Sequence, residues 1–232
     1  MTIWVATDRG IGPGMGPRLC YHPDQPLSPL FDLTGEPMSR IIYLLRHGQT
    51  RYNAEQRLQG RCNSELTAKG EAQAIAMGAR LREQLSDPAS WTVYASPLGR
   101  ARQTAQLVCQ QLGLDGERIV WDERLVELGM GEWEGCRVPD LLEDHPELDI
   151  SKPDWYLQAP AGEDFHSIQR RAQGWLMDPT TAERAIVISH GLLGATLRGL
   201  YADLDYAATW RQDLPQDAFF KLSGGHIERI QC

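Results

Sequence analysis

The stretch IIYLLRHGQTRYN, residues 41–53, decides how this sequence folds. It is an apolar run that ends abruptly in Arg46, His47 and Gly48 and then turns polar. The run shows no polar alternation, which is typical of a strand buried on both faces of a parallel sheet. A second apolar run, AIVISHG at residues 185–191, ends in the same way. Two buried strands of one chain are therefore predicted to end in His-Gly.

The rest of the sequence alternates short apolar runs with amphipathic segments. We predict strands at 41–45, 91–95, 119–121 and 185–189, helices at 67–85, 98–112, 163–177 and 192–201, and a terminal hairpin of 218–222 and 226–230 around Ser-Gly-Gly. Thr67 is expected to cap the first helix, and Ala72, Ile75, Ala76 and Ala79 are expected to form its apolar face. This alternation predicts an α/β fold, a three-layer sandwich around a mainly parallel central sheet.

Residues 1–39 differ in composition from the rest of the chain. Eleven of these 39 positions are glycine or proline, which disfavours a long helix or strand. We interpret residues 1–39 as an N-terminal arm and residues 40–232 as one domain. The arm could be a flexible segment, an ordered strap on the domain, or translated sequence upstream of a natural start at Met38. We prefer the last two interpretations to a catalytic role for the arm.

The bulk composition narrows the classes of protein. The net charge is −8, so the surface as a whole does not attract nucleic acid or anionic membrane. Five scattered cysteines without a C-x-x-C pair favour free thiols in a reducing compartment. No secretory leader and no apolar run of bilayer length is visible, so we expect a cytoplasmic protein. The terminal hairpin could pair with a second subunit, and a monomer and a homodimer both stay open.

Polar side chains follow the ends of the predicted strands. Ligands of an open α/β sheet bind beyond the carboxyl ends of its strands. This rule brings five side chains to one edge of the sheet: Arg46, His47, Arg100, Glu127 and His190. Arginine forks bind phosphoryl oxygens, and glycine turns at Gly48 and Gly191 are expected to add amide donors. A neutral imidazole can attack phosphorus and a carboxylate can protonate a leaving oxygen, so this set suits a phosphate ester.

Six motifs stand in order along the chain. They are RHGQT at 46–50 with Asn53, RLQG at 57–60, ELTAKGEAQA at 65–74, SPLGRARQTA at 96–105, LVELGMGEWEG at 125–135 and SHG at 189–191. In this order they resemble the histidine phosphatase superfamily, in its phosphoglycerate mutase-like branch, over residues 40 to about 230. The acid phosphatase and phytase branch fits less well, because Gly191 follows the second histidine where that branch usually has Asp. The resemblance implies a phosphoglycerate mutase-like fold, here with a small acidic cap.

The resemblance also implies a role for each matching residue. His47 would be the nucleophile that forms a phosphohistidine, and Glu127 would be the acid and then the base. The residues expected to hold the phosphoryl group or line its pocket are Arg46, Arg100, His190, Asn53, Gln59, Thr50 and Gly191. No metal or other cofactor is expected, because positive side chains supply the charge that Mg²⁺ supplies in many phosphoryl-transfer enzymes.

The expected activity is that of a metal-independent phosphoric monoester hydrolase. The segment from Glu132 to Asp154 has eight acidic residues opposed by Arg137 and Lys152 alone, so a modestly charged substrate is favoured. A nucleotide-like or sugar phosphate, α-ribazole 5′-phosphate or a broad set of small phosphomonoesters would fit, and a fructose 2,6-bisphosphatase-like activity fits less well. The alternatives are a phosphoglycerate mutase, a non-catalytic phospholigand-binding domain and, ranked last, a zinc hydrolase using both histidines and Glu127.

Overall fold

One six-stranded sheet forms the centre of the protein. The computed structural model describes residues 40–232, so the predictions for residues 1–39 lie outside the described part. The strands are β1 (Ile41–Arg46), β2 (Thr92–Ala95), β3 (Val120–Trp121), β4 (Arg184–Ser189), β5 (Ala218–Ser223) and β6 (His226–Gln231). Their order is β3-β2-β4-β1-β5-β6. Strands β1 to β4 are parallel to one another, β5 is antiparallel to β1, and β6 is antiparallel to β5. The predicted parallel sheet and terminal hairpin are confirmed.

Helices cover both faces of the sheet. The α-helices of the described residues are α1 (Arg51–Ala54), α2 (Ala68–Gln84), α3 (Gly99–Leu112), α4 (Val138–Asp144), α5 (Phe165–Leu176), α6 (Gly191–Tyr201) and α7 (Tyr206–Trp210). In β1, Ile42 and Leu44 pack into the core shared with α5 and α6. Tyr43 and Leu45 pack into the core shared with α2 and α3. Successive residues of one strand thus enter opposite cores, which explains the unbroken apolar run and confirms the three-layer α/β sandwich.

The predicted apolar face of α2 is wrong. Thr67 caps the helix as predicted, by accepting the Gly70 N–H at 3.1 Å. The positions expected inside are exposed to solvent: Ala72, Ile75, Ala76 and Ala79. The buried side instead contains Ala74, Met77, Leu81 and two glycines. Glycine scores poorly as an apolar residue, yet here it lets two backbones approach: a Cβ on Gly70 would lie 2.0 Å from the Gln49 carbonyl oxygen.

The acidic segment forms a small cap with its own apolar cluster. Trp133, Leu141 and Ala159 are buried together there. Sequence reasoning missed helix α4, which has proline in its first turn and only seven residues. The very short α1 and α7 were missed for the same reason, because so few residues give no readable period.

Two further features concern residues 40–232 taken together. No helix among residues 40–232 combines the length and the apolar composition needed to cross a bilayer. The four described cysteines, Cys62, Cys109, Cys136 and Cys232, are free thiols. Cys20 lies outside the described residues.

Candidate active site

The five side chains assigned to one sheet edge lie together in the structure. Arg46 ends β1 and His47 follows it, while Arg100 occupies the first turn of α3 after β2. His190 follows β4 as the N-cap of α6, and Glu127 lies in the segment after β3. The ring centroids of His47 and His190 are 5.2 Å apart. The site therefore assembles where three parallel strands end.

Two hydrogen bonds fix the tautomer of His47. Its Nδ1 lies 2.8 Å from the Gly48 carbonyl oxygen, which can only accept, so Nδ1 carries the proton. Its Nε2 lies 3.1 Å from Nε of Arg100, which can only donate, so Nε2 keeps its lone pair. Burial, followed by the charges of Arg100 and Arg46, lowers the pKa of His47 well below its usual value. His47 is thus a neutral imidazole whose unprotonated nitrogen faces an arginine.

Arg100 is buried and held by main-chain oxygens. Its Nη1 donates to Cys62 O at 2.8 Å and its Nη2 to Gly60 O at 2.7 Å. With the bond to His47, three of its five N–H groups are used and two remain for an anion. Burial lowers the pKa of Arg100 to about 10, against the raising effect of Glu127, so the guanidinium stays charged at neutral pH.

Arg46 lies between the end of β1 and the start of α6. Its side chain is partly exposed, and it donates to the Leu214 carbonyl oxygen. Its Nε is buried and has no hydrogen-bond partner among the described residues. A Cβ on Gly191 would lie 3.4 Å from this Nε, so the glycine keeps this space open. Burial lowers the pKa of Arg46 and the charge of Glu127 opposes that shift.

Ser96 holds the second histidine, a role that sequence reasoning did not assign. Its Oγ lies 2.7 Å from Nε2 of His190 and accepts the Leu98 N–H at 3.3 Å, so its own proton is available for Nε2. Burial and then the charge of Arg100 lower the pKa of His190 well below its usual value. Nδ1 of His190 is buried without a partner in residues 40–232. In this arrangement Nδ1 is the nitrogen left to donate to a ligand.

The Glu127 carboxylate lies at the N-terminus of α6. Its Oε1 accepts the N–H groups of Leu128 at 2.9 Å and Leu193 at 3.0 Å. Its Oε2 accepts the Leu192 N–H at 3.2 Å and retains a further lone pair. A negative group at a helix N-terminus is stabilised by the helix dipole. The start of α6 thereby orients the acid next to the histidine that precedes the helix.

Fewer backbone amides are free at this site than the sequence predicts. The Gly48 N–H donates to the Thr104 hydroxyl at 3.2 Å, so it is not free for a ligand. Gly191 opens α6, but the next two amides of that helix are bonded to Glu127. Side chains therefore supply most of the positive potential of this site.

An ion pair beneath Glu127 supports its backbone. Arg171 donates to the carbonyl oxygens of Val126 at 2.5 Å and Glu127 at 3.0 Å. Glu163 accepts from Arg171 Nε at 2.7 Å and from the Gly129 N–H at 3.1 Å. Sequence reasoning missed Arg171, because a lone arginine inside an amphipathic helix carries no signal of such a role.

The predicted pocket residues Thr50, Asn53 and Gln59 form one network. Thr50 caps α1: its Oγ1 accepts the Asn53 N–H at 3.1 Å, while its own N–H donates to Asn53 Oδ1 at 3.1 Å. Thr50 Oγ1 also lies 3.0 Å from Gln59 Oε1. The Thr50 hydroxyl is buried, and its hydrogen bonds to Asn53 and Gln59 occupy it. Gln216, which the sequence did not suggest, joins the network 3.1 Å from Asn53 Oδ1.

The zinc alternative requires a set of metal ligands. Among residues 40–232, no group of three or more His, Cys, Asp or Glu side chains is arranged to hold a metal ion. The zinc alternative therefore has no ligand set in the part of the chain that the structure describes.

Comparisons with known proteins agree with this geometry. The family model of the histidine phosphatase superfamily (branch 1) matches residues 42–226. A Salmonella paratyphi C protein named "probable phosphoglycerate mutase GpmB" is 36% identical over 172 residues, which cover 69% of this chain and 76% of that protein.

Solved structures give the same family. A mycobacterial glucosyl-3-phosphoglycerate phosphatase is 28% identical with a TM-score of 0.63, over 83% of this chain and 97% of that chain. The α-ribazole phosphatase from Shigella flexneri is 24% identical with a TM-score of 0.66, over 82% and 95% respectively, and supports the fold alone.

Proposed function

This chain belongs to the histidine phosphatase superfamily, and we propose that it is a metal-independent phosphomonoesterase that forms a phosphohistidine at His47. The observation that carries the proposal is the state of the His47 ring. Its Nδ1 is tied to the Gly48 carbonyl, and its unprotonated Nε2 faces Arg100. A nucleophilic imidazole must be neutral and of fixed tautomer, and the hydrogen bonds of His47 favour both conditions.

In the first chemical step, the hydrogen bond from Arg100 Nε to Nε2 of His47 breaks, Nε2 attacks phosphorus, and the bond from phosphorus to the leaving oxygen breaks. Two free N–H groups of Arg100, the guanidinium of Arg46 and Nδ1 of His190 would stabilise the phosphoryl oxygens as charge develops. Glu127 would donate a proton to the leaving oxygen through Oε2. In the second step, Glu127 takes a proton from water, the water oxygen attacks phosphorus, and the P–N bond breaks to return neutral His47.

The charge of the cap favours hydrolysis of a singly phosphorylated substrate. The cap segment carries eight acidic side chains from Glu132 to Asp154. Arg137, one of its two basic residues, pairs with Asp140 at 3.2 Å and is not a free cation. Such a concentration of negative charge repels ligands with several anionic groups. We therefore infer a small phosphomonoester with an uncharged leaving group, such as a nucleotide-like or sugar phosphate, α-ribazole 5′-phosphate included.

Phosphoglycerate mutase activity is the second candidate. The mutase name of the 36% identical relative favours it. A mutase must keep the phosphohistidine from water and return the phosphoryl group to a carboxylate-bearing substrate. The acidic cap argues against strong binding of such a substrate, so we rank hydrolysis first.

The test is a panel of esters assayed with EDTA present. The panel contains p-nitrophenyl phosphate, sugar phosphates, nucleotides, α-ribazole 5′-phosphate, fructose 2,6-bisphosphate and 3-phosphoglycerate. His47→Ala is compared with wild type, and His226→Ala on the exposed part of β6 is the matched histidine control. We expect release of phosphate by wild type and by His226→Ala, and none by His47→Ala.

Each other outcome of the panel has a distinct meaning. Conversion of 3- to 2-phosphoglycerate faster than any hydrolysis would select the mutase. Phosphate binding without turnover of any compound would select a binding domain. Much faster hydrolysis of the bisphosphate than of simple monoesters would contradict the argument from cap charge.

A further inference from the structure

One loop reaches the site from the antiparallel side of the sheet. Strand β5 runs antiparallel to β1, with Leu44 opposite Phe220, so the start of β5 lies beside the end of β1. The loop before β5, residues 211–217, therefore borders the turn that carries His47. Gln216 in this loop donates through Nε2 to the His47 carbonyl oxygen at 3.2 Å and to Asn53 Oδ1 at 3.1 Å.

Backbone groups determine which way these two amides face. The Thr50 N–H can only donate, so the Asn53 atom 3.1 Å from it must be the oxygen. The His47 carbonyl can only accept, so the Gln216 atom facing it must be the nitrogen. The same Gln216 nitrogen then donates its second hydrogen to Asn53. The two assignments agree, and they leave the Nδ2 group of Asn53 without a hydrogen-bond partner among the described residues.

We propose that Gln216 is a positioning residue that sets the Asn53 amide for phosphate binding and fixes the backbone of the nucleophile. With its oxygen held by Thr50 and Gln216, Asn53 can present only N–H groups to a phosphoryl oxygen. Without Gln216, one bond fewer holds that orientation, and the His47 carbonyl loses its partner. This inference rests on the proposed function only in taking phosphate as the ligand.

A neighbouring glutamine provides a matched control. Gln212 lies in the same loop and its Nε2 also donates to two acceptors, the carbonyl oxygens of Ala195 at 2.9 Å and Thr209 at 3.0 Å. Neither acceptor belongs to the site. Substitution of Gln212 also removes two hydrogen bonds from the loop, so it measures the effect of disturbing the loop without changing the contacts of Asn53 or His47.

The measurement is the equilibrium affinity for inorganic phosphate, by calorimetry on the full chain, with thermal unfolding followed in parallel. We expect Gln216→Ala to weaken phosphate binding about tenfold, since a hydrogen bond to a charged ligand is lost or misdirected. Gln216→Glu should weaken it at least as much, because a carboxylate would face two oxygens that accept. Gln212→Ala and Gln212→Glu should change phosphate affinity by less than about twofold.

A double-mutant comparison separates positioning from general damage. Because Gln216 acts partly through Asn53, Gln216→Ala should weaken binding by a clearly smaller factor in an Asn53→Ala background than in wild type. An equal factor in both backgrounds would overturn the proposal, and so would an unchanged affinity of Gln216→Ala or an equal loss in the Gln212 variants.

Phosphate affinity is measured without turnover, so the two proposals fail separately. A wild type that binds phosphate and depends on Gln216 but hydrolyses no ester contradicts the proposed function alone. A wild type that hydrolyses esters with no effect of Gln216 contradicts this inference alone. A wild type that binds no phosphate contradicts both.

Discussion

Removal of the Arg171 side chain tests how the backbone of Glu127 is held. Arg171 donates to the carbonyl oxygens of Arg124 at 2.9 Å, Val126 at 2.5 Å and Glu127 at 3.0 Å. It also makes a bidentate pair with Glu163, at 2.7 and 3.0 Å. One guanidinium therefore supports three carbonyls of the segment 124–127 and neutralises a buried carboxylate.

The expected loss of stability on removal of Arg171 follows from the burial of Glu163, its ion-pair partner. The Glu163 side chain is 8% exposed. Burial opposes ionisation of Glu163, but the hydrogen bonds and charge of Arg171, together with the Gly129 N–H and the charge of Arg61, outweigh it and hold the pKa of Glu163 below its usual value. Breaking a buried pair from one side costs about 3–5 kcal/mol. Arg171→Met should therefore lower the melting temperature by about 6–20 °C in a domain of this size.

Urea and thermal unfolding measure this loss. The control is Arg80→Met, whose ion pair with Glu83 is exposed and should contribute at most about 1 kcal/mol. The double variant Arg171→Met with Glu163→Gln should lose less than the sum of the single variants, because the buried charge is removed with its partner. A loss below about 1 kcal/mol for Arg171→Met, or strict additivity in the double variant, would refute this reasoning.

Three other predictions concern pH, packing and leaving-group chemistry. Folding lowers the pKa of His47, so the contribution of this residue to stability is full above its unfolded pKa and is lost as pH falls below about 6.5. The free energy of unfolding, measured by urea titration, should therefore fall toward pH 5. His47→Asn should reduce the slope of that fall by up to about 1.4 kcal/mol per pH unit. Gly70→Ala puts a Cβ 2.0 Å from a main-chain oxygen and should destabilise the fold by several kcal/mol, whereas Gly174→Ala, with open space around it, should stabilise it by about 0.5–1 kcal/mol in the same unfolding assay. Glu127→Gln should reduce kcat for alkyl phosphates by about 10²–10⁴ and much less for p-nitrophenyl phosphate, whose leaving group needs no proton; equal losses on both esters would argue against the acid role.

The parallel part of the fold is readable from the sequence because its strands are buried on both faces. The apolar runs of β1 and β4 stop at a polar residue where the chain leaves the core. The end of each strand is therefore also the start of the candidate site. The packing of α2 was not readable, because Gly70 and Gly78 occupy its buried side. These glycines let the backbone of α2 approach neighbouring segments closely, and the pattern of apolar residues in the sequence does not indicate such contacts.

The residues that hold the site were harder to find than those expected to react. Arg46, His47 and His190 stand at the carboxyl ends of parallel strands, where the topology rule looks for ligands. Gln216 precedes an antiparallel strand, so that rule passes over it, although its amide contacts the backbone of His47. Ser96 lies inside a recognised motif but differs in no visible way from a serine that only ends a strand.

Trapping of a phosphorylated enzyme intermediate tests whether His47 is the nucleophile. Wild type is mixed with a phosphomonoester that it hydrolyses in the presence of EDTA, quenched in base within one turnover, and digested for mass spectrometry. We expect one phosphoryl group, lost in acid, on the peptide that contains His47, and none in His47→Ala. Turnover without any phosphoryl-enzyme, or with the phosphoryl group on another residue, would contradict a phosphohistidine at His47.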